Sequence, residues 1–249
     1  MNEFINNRFC DNIDRSSYKH LHKRLILNIL KYLWKHIETK IENYTVFNNK
    51  KEGKYKKWYG NGQLWKQCTY LNGKRENEYI EWHEDGQLEV QCNYLNGKKE
   101  GEYRQWYEDG QLDEQCFCVN GKREGECKYW HENGHLKVKC VYLNGKQNGE
   151  YRRWYEDGQL DEQCFYVNGK REGEYREWYE NGHLEVQCVY SNGKRNGEYK
   201  EWYGDGQLWE QRMYLNGKLH GECKYWHGDG QPDEQCFYVN GKREGEYKI

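Results

Sequence analysis

Gly101-Glu-Tyr-Arg-Gln-Trp-Tyr-Glu-Asp-Gly-Gln-Leu-Asp-Glu-Gln-Cys-Phe-Cys-Val-Asn-Gly-Lys-Arg-Glu124 decides the fold. It holds two β-rich runs, each closed by a turn dipeptide, and its pattern recurs at a fixed spacing. Trp stands at 58, 82, 106, 130, 154, 178, 202 and 226, always 24 residues apart. Cys keeps the same step at 68, 92, 116, 140, 164 and 188, is missed at Arg212, and returns at Cys236. Asn-Gly-Lys recurs eight times, from Asn72-Gly73-Lys74 to Asn240-Gly241-Lys242, and Asp-Gly or Asn-Gly eight times from Asn61-Gly62 to Asp229-Gly230. A fixed period of this length marks a stacked repeat array. The expected fold is mainly β: an elongated single-layer antiparallel β-meander of eight 24-residue hairpin repeats with an N-terminal α-helix.

Within a unit, Asp-Gly between two β-rich runs signals a type I′ hairpin turn, because that turn needs positive φ at both central residues. Asp109-Gly110 is read as that turn, and residues 120–125 as a longer loop to the next unit. This register sets Tyr103 opposite Cys116, Trp106 opposite Asp113 and Cys118 opposite Cys127. It also sets Tyr opposite Tyr at 70/79, 94/103, 142/151, 166/175, 190/199 and 238/247. The joint replacement of both Tyr at 118 and 127 by Cys is consistent with a facing pair, and Cys118 and Cys127 form the candidate redox pair. Alternation across a strand places Tyr103, Tyr107, Leu112 and Cys116 on one face and Arg104, Trp106, Gln115 and Phe117 on the other. Sixteen strands at roughly 4.8 Å extend about 75 Å.

Composition agrees with a thin sheet. The hydrophobic fraction is 35%, much of it from 24 Tyr, 11 Trp and 6 Phe, with one Pro and no Ala. Globular chains average about 45–50% apolar residues, so a two-layer core is not expected. Net charge is −2, from 39 basic and 41 acidic residues that are well mixed. Without a single-sign field, nucleic acid is not an expected partner.

Residues 1–45 are read as an N-terminal helical segment or cap, and 46–249 as the repeat array. Leu21, Leu25, Ile29, Leu33, Ile37 and Ile41 form a helical stripe over 15–42. Lys19, Lys23, Arg24, Lys31 and Lys35 give that helix a basic character, which raises the alternative of a membrane-surface contact. Tyr44 to Gly53 aligns with a unit's end and reads as a degenerate earlier repeat. The first ten residues lack an apolar signal-peptide core, and Leu25–Leu30 is too short to span a bilayer. The expected location is cytoplasmic, in a host cell if the source is viral.

Catalysis is not expected, because a site needs a unique constellation and the carboxylates here recur in every unit. No metal site or cofactor is expected either. Cys in equivalent positions lie about 9.5 Å apart by strand spacing, beyond disulfide reach. His83, His131 and His227 replace Tyr beside Trp, and His135 and His183 replace Gln in turns. Trp65 and Trp209 occupy a normally charged site and are expected to face Trp58 and Trp202; these four are the candidate binding residues. Pro232 replaces the unit's Leu and lacks a ladder donor. A sheet edge after it is an expected point of self-association.

Gly101–Gly110 and the recurrent Asn-Gly-Lys-x-x-Gly-Glu-Tyr resemble the MORN (membrane occupation and recognition nexus) repeat family, over about residues 53–249. The unit is most similar to the variant subfamily, some of whose bacterial members are antitoxin-like. The resemblance implies an elongated antiparallel sheet used for protein contacts and, in some members, lipid contacts. The expected function is therefore a non-enzymatic scaffold for protein–protein interaction. The alternatives are a membrane- or phospholipid-associated adaptor and an antitoxin-like inhibitor.

Overall fold

The structure is a computed structural model and describes residues 42–248. The expected helix over 15–42 falls outside the described residues except at Glu42, which is already in a strand. Eighteen strands follow in order: β1 (Glu42–Phe47), β2 (Lys50–Trp58), β3 (Leu64–Leu71), β4 (Lys74–Trp82), β5 (Leu88–Leu95), β6 (Lys98–Trp106), β7 (Leu112–Val119), β8 (Lys122–Trp130), β9 (Leu136–Leu143), β10 (Lys146–Trp154), β11 (Leu160–Val167), β12 (Lys170–Trp178), β13 (Leu184–Ser191), β14 (Lys194–Trp202), β15 (Leu208–Leu215), β16 (Lys218–Trp226), β17 (Pro232–Val239) and β18 (Lys242–Lys248). Each pairs antiparallel with its sequence neighbours, giving one open meander. The meander is as expected, but it has eighteen strands rather than sixteen. The degenerate segment at 44–53 supplies the hairpin β1–β2, and β1 runs across the expected boundary at 45/46.

The two turn types are exchanged relative to the sequence reading. Asn120 and Gly121 both have positive φ, 52° and 80°, and Val119 faces Lys122 directly. This is the two-residue type I′ hairpin. At the other turn only Gly110 is left-handed, with φ 84°. The Gly110 N–H donates to the Tyr107 carbonyl at 3.0 Å, and the Tyr107 N–H to the Gln111 carbonyl at 2.9 Å. That is a three-residue loop, a type I turn closed by a left-handed glycine. Asp109 is held out of the left-handed region by its own side chain: Oδ1 accepts the Gln111 N–H at 2.9 Å, an Asx turn.

Two bulges per unit then fix the register. Gln105 faces Glu114 but Trp106 faces Leu112, so Asp113 is the extra residue. Trp106 therefore packs against Leu112, not residue 113, and Leu112 lies on the Trp face. Phe117 faces Glu124 whereas Gln115 faces Lys128, so the chain gains residues at Gly125-Glu126. Gly125 takes φ 74° there. Cys118 consequently faces Arg123, and Cys127 faces Cys140. The expected Cys118–Cys127 facing pair is overturned by the tight Asn-Gly turn and the bulge behind it. The expected Tyr–Tyr rungs are corrected in the same way: Tyr70 faces Arg75 and Tyr166 faces Arg171.

The Asn-Gly turns also pack on one another. A Cβ on Gly145, whose φ is 81°, would lie 3.1 Å from the Lys122 Cβ. Gly145→Ala is expected to cost about 1–2 kcal/mol, from the left-handed backbone and the contact together, as read by urea unfolding. Gly101→Ala, which meets nothing within 4 Å at φ 85°, should cost less.

Candidate interaction faces

The sheet has a sealed face and an open face. On the sealed face a row of alternating Tyr and Cys crosses the strands. Tyr79 faces Cys92, Cys92 faces Tyr103, Tyr103 faces Cys116, Cys164 faces Tyr175, and Tyr175 faces Cys188. Large beside small suits the narrow strand spacing, where two rings directly opposite would crowd. The Tyr rings meet diagonally instead: Tyr55–Tyr70, Tyr79–Tyr94, Tyr151–Tyr166, Tyr175–Tyr190 and Tyr199–Tyr214 have centroids 5.4–5.9 Å apart at 60–73°, the edge-to-face arrangement that ring quadrupoles favour.

Cations roof these rings. The Arg171 guanidinium lies 4.6 Å from the Tyr175 ring centre and 5.6 Å from Tyr190; Arg195 does the same at 4.5 and 5.6 Å over Tyr199 and Tyr214. Lys99 sits 3.7 Å over Tyr103. Beneath this cover the thiols are buried, Cys127 and Cys223 completely. Burial pushes Cys92 and Cys188 up to about 11, so these thiols stay protonated and are weak nucleophiles at neutral pH. Glu162, 2% exposed, is held by Arg171 at 2.7 Å and Arg153 at 3.0 Å. Among the described residues, no group of three or more His, Cys, Asp or Glu is arranged to hold a metal ion.

The open face differs. Phe117, Phe165 and Phe237 are 46–49% exposed, and Val189 and Met213 occupy the same position of other units at 38–40%. Two residues on, Leu71, Leu95, Leu143 and Leu215 are 44–51% exposed. These side chains form an apolar row along the sheet. Charged pairs flank it, among them Arg104–Glu102 at 2.7 Å, Lys128–Glu126 at 2.8 Å and Arg176–Glu174 at 2.9 Å. A shallow depression of about 380 Å³ lies at Phe165 and Val167, with Glu150, Glu174 and Arg176 around it. A similar one, about 310 Å³, lies at Phe117 between Glu102 and Lys128.

The four Trp expected at a binding site are not paired with each other. Trp58 faces Leu64 and Trp202 faces Leu208. The bulge turns Trp65 onto Tyr59, with centroids 5.7 Å apart, and Trp209 onto Tyr203 at 6.0 Å. Lys57 and Lys66 lie 4.8 and 4.6 Å from the Trp65 ring. Trp209 is 38% exposed, while the other three are half-buried. Trp65 in β3 and Trp209 in β15 stand on strands far apart in the meander, so they do not form one site. Cys118 and Cys127 are both buried, at 4% and 0%.

Four of the five His substitutions bond the backbone of the next turn. Tyr107 donates its hydroxyl to the Trp130 carbonyl at 2.7 Å, and His83 and His131 reach the Trp106 and Trp154 carbonyls through Nε2 at 2.9 Å. His135 and His183 meet the Glu156 and Gly204 carbonyls through Nδ1 at 2.7 and 2.9 Å. These bonds stitch each three-residue turn to the next. The sequence reading missed the open apolar row; its signal was the apolar residue recurring one place after the repeat's Cys.

Comparison with known proteins agrees with this geometry. A family model described as "MORN repeat variant" matches residues 51–72, 75–96, 99–120, 123–144, 147–168, 171–192, 195–216 and 219–240. No curated protein matches the chain. Among solved structures, a chain of the "Crystal Structure of TcdB2-TccC3-Cdc42" is similar over 80% of this chain and 15% of its own length, at 10% identity and a TM-score of 0.16. A likeness that low carries no argument about fold or function. No helix among the described residues is long and apolar enough to cross a membrane.

Proposed function

The chain belongs to the MORN repeat variant family, whose members are generally protein- or membrane-binding repeat scaffolds, and we propose that this member is a non-enzymatic scaffold that binds protein through the open face of its sheet. The supporting observation is the contrast between the faces. One is roofed by cations and closed; the other leaves Phe117, Phe165 and Phe237 nearly half exposed. Aromatic side chains ringed by polar groups are the usual anchors of protein interfaces. The repeat presents the same anchor at intervals, so several weak contacts to one extended partner add through effective concentration. Trp209 is a further exposed anchor, and Trp58, Trp65 and Trp202 are half-buried.

A photo-crosslinking residue placed at Phe165 tests this in cells of the source organism. A discrete protein adduct is expected from position 165 and from 117, and none from Glu180 in a turn. Phe117→Ser with Phe165→Ser should lower the adduct yield formed from position 237 at least tenfold while leaving the unfolding midpoint within a few degrees. Adducts confined to lipid would instead favour the membrane adaptor, and protein adducts that ignore the double change would refute the open face as the binding surface.

A further inference from the structure

Two departures from the repeat bring thiols together. At 127 and at 223 the row's Tyr is Cys, so Cys127 directly faces Cys140 and Cys223 directly faces Cys236. In the other units a Tyr or Arg strand separates successive Cys. Facing residues of an antiparallel pair have Cα atoms about 4.5 or 5.5 Å apart, and both values lie within the range of about 4.4–6.8 Å that a disulfide spans. The Cys223 and Cys236 thiols also influence each other's titration, as Cys116 and Cys127 do.

We propose that Cys223 and Cys236 are a redox clasp, closed by a small disulfide such as oxidised glutathione, which ties β16 to β17 ahead of any other thiol pair in the sheet. Three features favour this pair. Cys223 faces Arg212 on its other side, whereas Cys127 lies beside both Cys116 and Cys140, so no third thiol competes for Cys223. Cys236 is 6% exposed, against 0% for Cys127 and 2% for Cys140. Pro232 stands opposite Trp226 where other units place Leu, and it cannot donate to the ladder, so local opening beside Cys236 costs less than in other units. The Cys236 thiolate attacks one sulfur of oxidised glutathione, breaking its S–S bond and releasing the first glutathione. The Cys223 thiolate then attacks the Cys236 sulfur of the mixed disulfide and displaces the second. The two protein thiols lose two protons and two electrons; the small disulfide takes up both and becomes two thiols. Burial holds Cys223 up at about 11 and raises Cys236, so the rate should climb as pH rises from 7 to 9, as thiolate attack requires.

The test uses the full chain, folded, with oxidised glutathione at pH 8, quenched with iodoacetamide and digested with trypsin without reduction. The expected first product joins the peptide 219–224 to the peptide 225–242, and dithiothreitol separates them. Cys223→Tyr, which restores the residue of the other units, should abolish that link and leave Cys236 alkylated or carrying glutathione. The proposal is overturned if both thiols of the wild-type chain remain alkylatable. It is equally overturned if Cys236 keeps glutathione with Cys223 beside it free, or if a Cys127 link forms first.

Discussion

Tyr175→Ala is expected to lower the unfolding free energy by about 3–5 kcal/mol, the range for emptying a buried large aromatic site. Tyr175 is 6% exposed and faces a Cys on each side, Cys164 and Cys188. Its ring meets Tyr190 edge-on at 5.7 Å and carries the Arg171 guanidinium at 4.6 Å. Its hydroxyl donates to Glu177 Oε2 at 2.8 Å. Truncation removes the ring contact, uncovers two thiols and strips one surface from Arg171. A single-layer sheet has no second layer to close over the gap. Tyr175→Phe keeps the ring and should cost about 1 kcal/mol, the net worth of a hydrogen bond. Urea unfolding at pH 7 checks both, with Phe165→Ala on the open face as the comparison at under 1 kcal/mol. Equal costs for Tyr175→Ala and Phe165→Ala would refute the division into a sealed and an open face. Each hairpin contacts only its neighbours, so amide exchange in Tyr175→Ala should rise most in β11, β12 and β13.

Stability is expected to fall as pH rises from 5 to 8, by on the order of 2–3 kcal/mol, because of Glu210. Glu210 is 1% exposed and faces Glu201 on one side and Tyr225 on the other. Arg212, which stands where other units have Cys, forms an ion pair with it. Burial pushes the Glu210 carboxyl up to about 7; Arg212 opposes this and Glu201 adds to it. A folded-state value above the unfolded 4.5 means the protonated form is favoured on folding. The stabilisation is therefore complete below about 4.5 and is lost as pH rises through about 7. Glu185 is raised as well, by burial and by Glu177, Glu201 and Asp161, and acts with the same sign. Glu126, Glu198 and Glu222 are lowered, by Lys128, Lys200 and Lys224 first, so their stabilisation is lost only on acidification. Glu210→Gln should flatten the profile between pH 5 and 8. A wild-type chain as stable at pH 8 as at pH 5, or a Glu210→Gln profile as steep as the wild type, would show that Glu210 stays ionised.

Much of the fold was legible because the repeat states the same instruction eight times. Trp every 24 residues, with a turn dipeptide after each β-rich run, leaves a hairpin meander as the consistent reading. What the dipeptides do not state is which turn is tight. Asn-Gly and Asp-Gly both suit a type I′ turn, and the choice is made elsewhere in the unit. Asp109 is committed to the Gln111 N–H. The Asn120 N–H is taken by Glu100 Oε2 at 2.8 Å, twenty residues earlier and in the preceding unit. A contact between units leaves no trace in a single unit read alone. Each misplaced pairing followed from that exchange, Cys118 with Cys127 and Trp65 with Trp58 included. The turn and its bulges decide which residues face each other.

The amino-acid sequence by itself determined the period, the antiparallel meander, the single layer and the Tyr–Cys alternation, because these depend on residue spacing and on β-forming side chains. Only the tertiary structure decided which face is sealed, which thiols face each other and which apolar row remains open. Those outcomes depend on two bulges per unit, and a one-residue slip sends a side chain to the opposite face.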